Sequence, residues 1–85
     1  EDARRILDRV AEQYDISVDD IVGRNRKREL IIPRHLSAYI MRKELMMSFP
    51  EIGEQLGKRD HTTAIYAVNK IKELLKNGEL EVKND

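Results

Sequence analysis

Apolar residues recur at steps of three and four in the N-terminal part of the chain. Five of them share one face of a helix and charged side chains occupy the other face; the five are Ala3, Ile6, Leu7, Val10 and Tyr14. This period is typical of an amphipathic helix that packs one side against a core. The pattern predicts a first helix over about residues 2–14.

A short apolar stretch follows, flanked by local start and stop signals. Ser17 and Asp20, three residues apart, form a pair that can cap a helix start, and Gly23 is a natural stop. These signals predict one short helix over residues 18–22.

The next apolar segment begins near Pro33, whose fixed φ and missing N–H suit the first turn of a helix. We expect a helix over about residues 34–46. Its apolar positions cover more than one stripe: Leu36, Ala38, Tyr39, Ile40, Met41, Leu45 and Met46. Such a helix is contacted on several sides, so it should lie at the centre of the fold, with Arg34, Arg42 and Lys43 facing outward.

Two helix-start signals then occur in succession. Ser48 and Glu51 form a capping box around a proline in the first helical turn, and Asp60 provides a second cap after the stop at Gly57. We expect a short helix starting directly after Ser48 and a longer helix over about 60–76. Two helices joined by a tight glycine turn form a helix-turn-helix.

No segment alternates with the period of two that a strand requires, so the sequence predicts a small all-α domain of four to five helices containing a helix-turn-helix. The 85 residues allow one domain. We assign residues 1–78 to it and residues 79–85, which lack periodicity, to a frayed tail. Because the chain begins at Glu1, we expect a fragment, whose first helix could continue a linker helix from an upstream domain.

The composition excludes several classes of protein. Cysteine is absent, which excludes disulfide frameworks and thiolate metal sites, and the apolar runs are far shorter than the ~20 residues that cross a bilayer. We expect neither a secretion leader nor a membrane span. The sequence has no glycine-rich phosphate loop, credible Ser-His-Asp set or metal-binding cluster, so we expect no enzyme and no cofactor in this chain.

Positive charge is concentrated in one segment although the whole chain is neutral. Residues 1–22 carry three basic and seven acidic side chains, or −4, whereas residues 23–43 carry seven basic and one acidic, or +6. Four of the cations lie between Arg24 and Arg28, where no helix-start signal occurs. They predict a basic loop, which either meets an anionic partner or remains a solvated charge run.

A polar run marks the start of the last predicted helix. Residues 58–63 read Lys-Arg-Asp-His-Thr-Thr, so donors and acceptors occupy the first helical turn and the loop before it. A helix-turn-helix presents that turn to base edges in the major groove. The alternative is a purely structural turn between two packed bundle helices, which has no need of so many polar groups.

Three features thus stand together: Pro33-Arg34 behind the basic loop, Ile52-Gly53, and the run Lys58-Arg59-Asp60-His61-Thr62-Thr63. With them the chain, from about Ile6 to Leu74, resembles the C-terminal DNA-binding domain (domain IV) of the bacterial replication initiator DnaA. The resemblance implies a cytoplasmic, nucleoid-associated protein that binds double-stranded DNA at DnaA boxes of the replication origin. It implies a recognition helix in the major groove, a loop arginine in the minor groove, and ATP only in a missing upstream domain.

The resemblance also implies a set of DNA-binding residues: Arg26, Arg34, His35, Lys58, Arg59, Asp60, His61, Thr62 and Thr63. Residues 60–63 of this set form the turn that reads bases and phosphates. Arg26 matches the minor-groove arginine, and Arg34 matches a phosphate-contacting arginine at a helix start. The chain departs from the family pattern at Lys58, where a second glycine is frequent, at Ala64, where a larger aliphatic is usual, and at His35, which is often glutamine.

Other functions remain open on the residues alone. One is a helix-turn-helix module of a transcriptional regulator or transposase; another is a helical protein-interaction domain whose basic loop meets an acidic partner. We expect double-stranded DNA as the partner, with no small-molecule substrate. The two histidines lack carboxylates at ligand spacing, which argues against a metal site, and the lack of an obvious exposed apolar seam favours a monomer in isolation.

Overall fold

Five α-helices and one 3-10 turn make up the part of the chain that the computed structural model describes, residues 2–81. The helices are α1 (Ala3–Tyr14), α2 (Val18–Val22), α3 (Ile31–Leu45), α4 (Phe49–Gln55) and α5 (His61–Lys76), and the 3-10 turn spans Arg28–Leu30. No strand occurs within these residues, so the predicted all-α class is confirmed. In the same range, no helix combines the length and the hydropathy that crossing a bilayer requires.

The central helix begins earlier than the sequence predicts, at Ile31 rather than near residue 34. The 3-10 turn runs directly into it, and Leu30 at the junction is buried and already helical, with φ −93° and ψ −11°. Pro33 is therefore the third helical residue. It still lies in the first turn, where the N–H groups have no intrahelical partner, so its missing N–H is tolerated.

As its apolar pattern predicts, α3 lies at the centre of the fold and packs against α1, α2, α4 and α5. Leu36, Ala38 and Met41 on this helix are fully buried. Ser37 beside them is also buried, and its hydroxyl donates to the Pro33 carbonyl at 2.8 Å. The two helices of the helix-turn-helix, α4 and α5, are thus held on one central framework.

Local side-chain caps fix the starts of α2 and α4, as the sequence predicts. The Ser17 hydroxyl accepts from the Asp20 N–H at 3.0 Å, and the Asp20 carboxylate accepts from the Ser17 N–H at 3.1 Å. Ser48 and Glu51 form the same reciprocal pair at 3.2 and 3.1 Å. These hydrogen bonds with Ser48 lower the pKa of Glu51, which stays ionised and keeps the box closed.

The described end of the chain continues past α5. The Glu79 N–H donates to the Leu74 carbonyl at 2.9 Å, and Leu80 is half-buried against the core. The rest of the tail, from residue 82 onward, lies outside the described residues, and its frayed character stays a prediction.

Two glycines allow the helix-turn-helix to close tightly. A Cβ at Gly53 would collide with the carbonyl oxygen of Arg59, and a Cβ at Gly57 would collide with the carbonyl oxygen of Val22. Gly57 has a φ of +82° and Lys58 after it has a φ of +60°, so two successive left-handed residues link α4 to α5. Glycine adopts this conformation readily, whereas other residues do so at a cost.

Replacing Gly57 by alanine should destabilise the domain by about 3 kcal/mol or more, because steric overlap with the Val22 carbonyl adds to backbone strain. Gly78→Ala is the matched control. Gly78 also has a positive φ, +71°, but no heavy atom lies within 4 Å of its Cβ position, so strain alone should cost about 1 kcal/mol. Urea unfolding followed by circular dichroism measures both losses, and equal losses would contradict the close approach at Gly57.

Candidate nucleic-acid interface

The first turn of α5 is exposed and is organised by Asp60 at its N-cap. The Asp60 Oδ1 accepts from the Thr62 N–H at 2.8 Å and from the Thr62 hydroxyl at 2.9 Å, and His61 Nδ1 lies 3.2 Å from the same oxygen. The hydrogen bonds from the Thr62 backbone and side chain lower the pKa of Asp60, with a smaller effect of His61. All four residues of the predicted reading turn, 60–63, are exposed.

The cap determines what the Thr62 hydroxyl can offer a ligand. The Asp60 carboxylate, ionised at neutral pH, only accepts hydrogen bonds, so the Thr62 hydroxyl must donate its hydrogen to it. Thr62 then presents lone pairs and a methyl group, which suit a base amino group or a thymine methyl but not a phosphate. The Thr63 hydroxyl has no acceptor among the described residues, so its hydrogen can be donated to an external acceptor.

The basic loop lies beside the helix-turn-helix and spans Arg24–Lys27, one residue fewer than predicted, because Arg28 begins the 3-10 turn. Arg24 Nη2 donates to the Gly57 carbonyl at 3.0 Å. Within the loop, the Lys27 N–H donates to Asn25 Oδ1 at 3.0 Å, which tightens the backbone around Arg26. Arg26 is exposed, and nothing within residues 2–81 accepts a hydrogen bond from its side chain. The guanidinium is therefore available on a loop that is tied to the turn.

Arg34 does not simply face outward, and that expectation is wrong. The residue is half-buried: Nε donates to the Ile21 carbonyl at 2.7 Å, and Nη2 donates to the carbonyls of Asp20 and Asn25 at 2.9 and 3.1 Å. The reason is that α3 passes beside the end of α2, whose carbonyls need donors. Burial lowers the pKa of Arg34, which nevertheless remains charged at neutral pH. Nη1 makes no hydrogen bond within residues 2–81 and can donate to an external acceptor.

Arg59 is engaged in a similar way. Nη1 donates to the carbonyls of Val22 and Leu56, and Nη2 donates to the Gly23 carbonyl at 2.6 Å. Burial lowers its pKa, and the charges of Arg34 and Arg24 lower it further. Lys58, by contrast, is exposed. Of the two cations placed before the reading turn, only Lys58 is exposed.

His35 lies half-buried on α3, against the outer face of α5. Its ring meets the Tyr66 ring edge to face with centroids 5.6 Å apart, and its Nδ1 is buried without a hydrogen-bond partner among the described residues. Burial lowers the pKa of His35, and the charges of Arg34 and Lys70 lower it further. The imidazole is therefore neutral at physiological pH.

Tyr66 is a further residue of this surface, which the sequence pattern does not single out. It is 61% exposed and lies one helical turn beyond the two threonines, beside His35. The helical spacing from Thr62 or Thr63 to Tyr66 and then to Lys70 could have indicated that all of them share a surface. This extends the polar turn into a longer strip along α5.

The His35 environment gives the domain a pH-dependent stability. Because the folded state lowers the pKa of His35 below the unfolded value of ~6.5, the unfolded chain binds the proton more tightly, and stability falls as the pH decreases through that value. Replacing His35 by glutamine should flatten this loss. Urea unfolding at several pH values measures it.

The attribution to His35 has a direct check. In an NMR titration, the His35 ring should titrate below the ordinary range, and Lys70→Gln should raise its pKa because one of the neighbouring charges is removed. A pH dependence that is identical in the wild type and in His35→Gln would contradict the assignment.

Comparison with known proteins identifies the relatives of this chain. Residues 3–71 match a family model described as "Bacterial dnaA protein helix-turn-helix". The chromosomal replication initiator protein DnaA of Thermomicrobium roseum is 40% identical over 74 residues, which are 87% of this chain and 16% of that protein. The proteins of the same name from Nostoc punctiforme and Thermus thermophilus are 45% and 40% identical over 69 and 73 residues, or 81% and 86% of this chain.

The chain spans only 15 to 17% of the length of these relatives. Within it, however, the family match runs from the start of α1 to Ile71, the last fully buried residue of α5, and therefore includes the basic loop, α4, the turn and most of α5. The chain belongs to the family of bacterial DnaA helix-turn-helix domains.

Proposed function

We propose that this chain binds double-stranded DNA sequence-specifically at DnaA boxes of a replication origin, with α5 in the major groove and the basic loop in the adjacent minor groove. Family membership supports DNA binding. One observation carries the finer proposal: Arg24 bonds the basic loop to Gly57 in the turn, so the loop and the exposed start of α5 are held together. Elements so joined can contact neighbouring grooves of one duplex.

The first turn of α5 is the base-reading element in this proposal. Thr62 meets a thymine methyl or a base amino group, and Asp60, whose Oδ2 is not used by the cap, accepts from a cytosine amino group. His61 lies beside them on the same exposed turn and reads the neighbouring base edge.

The remaining contacts place the protein on the sugar-phosphate backbone. Thr63 and Lys58 donate to phosphates from exposed positions, and Arg34 donates through Nη1. His35, whose ring packs against Tyr66, contacts the sugar-phosphate backbone from the same surface. Such contacts fix the register of the protein on the duplex but do not themselves read sequence.

Arg26 enters the minor groove, where a narrow A·T-rich segment has its most negative potential. Arg59, which the resemblance includes among the DNA-binding residues, directly precedes the reading turn, but its donors are largely occupied by backbone carbonyls, so we assign it no direct contact with DNA. We place any nucleotide-dependent activity in the parts of the relatives that this chain does not cover. No group of three or more potential metal ligands occurs within residues 2–81.

Thr62 and Thr63 should respond differently to replacement. Thr62→Ala should cost about 1 to 3 kcal/mol on a DnaA-box duplex and much less on a scrambled duplex, because it removes base contacts. Thr63→Val, which keeps the shape and removes the hydroxyl, should weaken both duplexes alike, because it removes a phosphate contact. Fluorescence anisotropy at physiological salt measures the affinities of the wild type and the two variants for both duplexes. Equal wild-type affinity for the two duplexes would overturn the proposed function.

Arg26→Ala should lower the dependence of log K on log salt by about one unit, because one cation leaves the duplex. Its loss of affinity should be larger where the flanking minor groove is A·T-rich than where it is G·C-rich. Arg5→Ala is the matched control, since Arg5 is an exposed arginine on α1. A salt dependence that changes equally in both variants would remove Arg26 from the interface.

A further inference from the structure

The end of α2 is closed by side chains from distant parts of the chain. A helix leaves its last carbonyls without intrahelical partners. Here Arg34 of α3 takes two of them, and Arg59 of the turn takes the next two; the four carbonyls are those of Asp20, Ile21, Val22 and Gly23. Two guanidinium groups thus supply the donors that a five-residue helix cannot supply itself.

Arginine side chains also fix the start of the basic loop. The Arg34 Nη2 also donates to the carbonyl of Asn25, the second residue of the loop. In the opposite direction, Arg24 of the loop donates to the Gly57 carbonyl in the turn. We call Arg24, Arg34 and Arg59 the arginine clasp. It joins α2, the loop, α3 and the turn across 9 to 37 residues of sequence.

We propose that Arg59 is a positioning residue, which fixes Arg26 of the basic loop relative to the first turn of α5 and does not itself bind DNA. The inference rests on the proposed function. Arg59 directly precedes the N-cap Asp60, and it bonds to Gly23, directly before the loop. It therefore links the residue directly before one groove-entering element to the residue directly before the other.

The chemistry of the guanidinium fits this role. Its planar fork bonds to three carbonyls on two segments, Val22 and Gly23 on one and Leu56 on the other. A lysine ammonium keeps the charge, but a point donor does not reproduce this planar geometry. If Arg59 turned toward a phosphate, the carbonyls of Val22 and Gly23 would lose their donor. Burial and the charges of Arg34 and Arg24 lower the pKa of Arg59, whereas hydrogen bonds to carbonyl oxygens favour its charged form.

A double-mutant cycle tests the proposal. Affinity for a DnaA-box duplex is measured by anisotropy for the wild type, Arg59→Lys, Arg26→Ala and the double variant. We expect Arg26→Ala to lower the affinity of the wild type for the duplex. In the Arg59→Lys background the factor by which it lowers the affinity should be about tenfold smaller, because the loop no longer holds Arg26 in place there. Thr62→Ala should weaken both backgrounds by similar factors. Additive effects of Arg59→Lys and Arg26→Ala would overturn the proposal.

Two further variants separate positioning from loss of charge or folding. Lys58→Ala removes an exposed neighbouring cation and should be additive with Arg26→Ala. Arg24→Ala breaks the opposite link of the clasp from an exposed position, so it should fold even if Arg59 variants do not, and it should couple to Arg26 in the same direction as Arg59→Lys. If the effects of Arg24→Ala and Arg26→Ala are also additive, the arginine clasp does not position the loop.

Amide hydrogen exchange distinguishes a failure of this inference from a failure of the proposed function. In the free domain, Arg59→Lys should accelerate exchange at residues 25–27 while the amides in the middle of α5 keep their wild-type rates. If the wild type does not prefer the DnaA-box duplex, the proposed function fails, and the exchange rates still decide whether Arg59 holds the loop. Unchanged exchange in the loop would overturn the positioning role.

Discussion

The backbone carbonyls at the end of the short helix α2 need hydrogen-bond donors, and the rest of the structure depends on how those donors are supplied. A five-residue helix such as α2 cannot be stable alone, because most of its carbonyls lack partners inside it. Arg34 and Arg59 provide those partners from α3 and from the turn. These four hydrogen bonds therefore stabilise α2. The two from Arg34 attach it to α3, and the two from Arg59 attach it to the turn of the helix-turn-helix, directly before the basic loop.

The turn itself is determined mainly by backbone contacts. Gly53 and Gly57 have no room for a side chain, since carbonyl oxygens occupy the space where a Cβ would lie. This close approach brings Arg59 within reach of Val22 and Gly23. The tight packing of the turn and the capping of α2 thus depend on each other, and together they fix the position of the exposed start of α5.

The sequence predicts those parts of the structure that depend on neighbours along the chain. The capping pair of Ser48 and Glu51 and the N-cap at Asp60 lie within four residues of their partners, so their residue types identify them. The roles of Arg34 and Arg59 could not be predicted, because every residue carries a carbonyl and nothing in the sequence marks which ones lack donors. The burial of His35 and its contact with Tyr66 likewise depend on how α3 and α5 pack.

The left-handed backbone at Lys58 has a consequence for sequence variation within such turns. Its φ of +60° disfavours β-branched residues, while glycine and asparagine enter that region easily. An unbranched lysine there accepts some local strain and projects its ammonium into solvent. At this one site, lysine therefore adds a surface charge at the cost of backbone strain, whereas glycine or asparagine removes the charge and relieves the strain. Neither change requires the neighbouring helices to move.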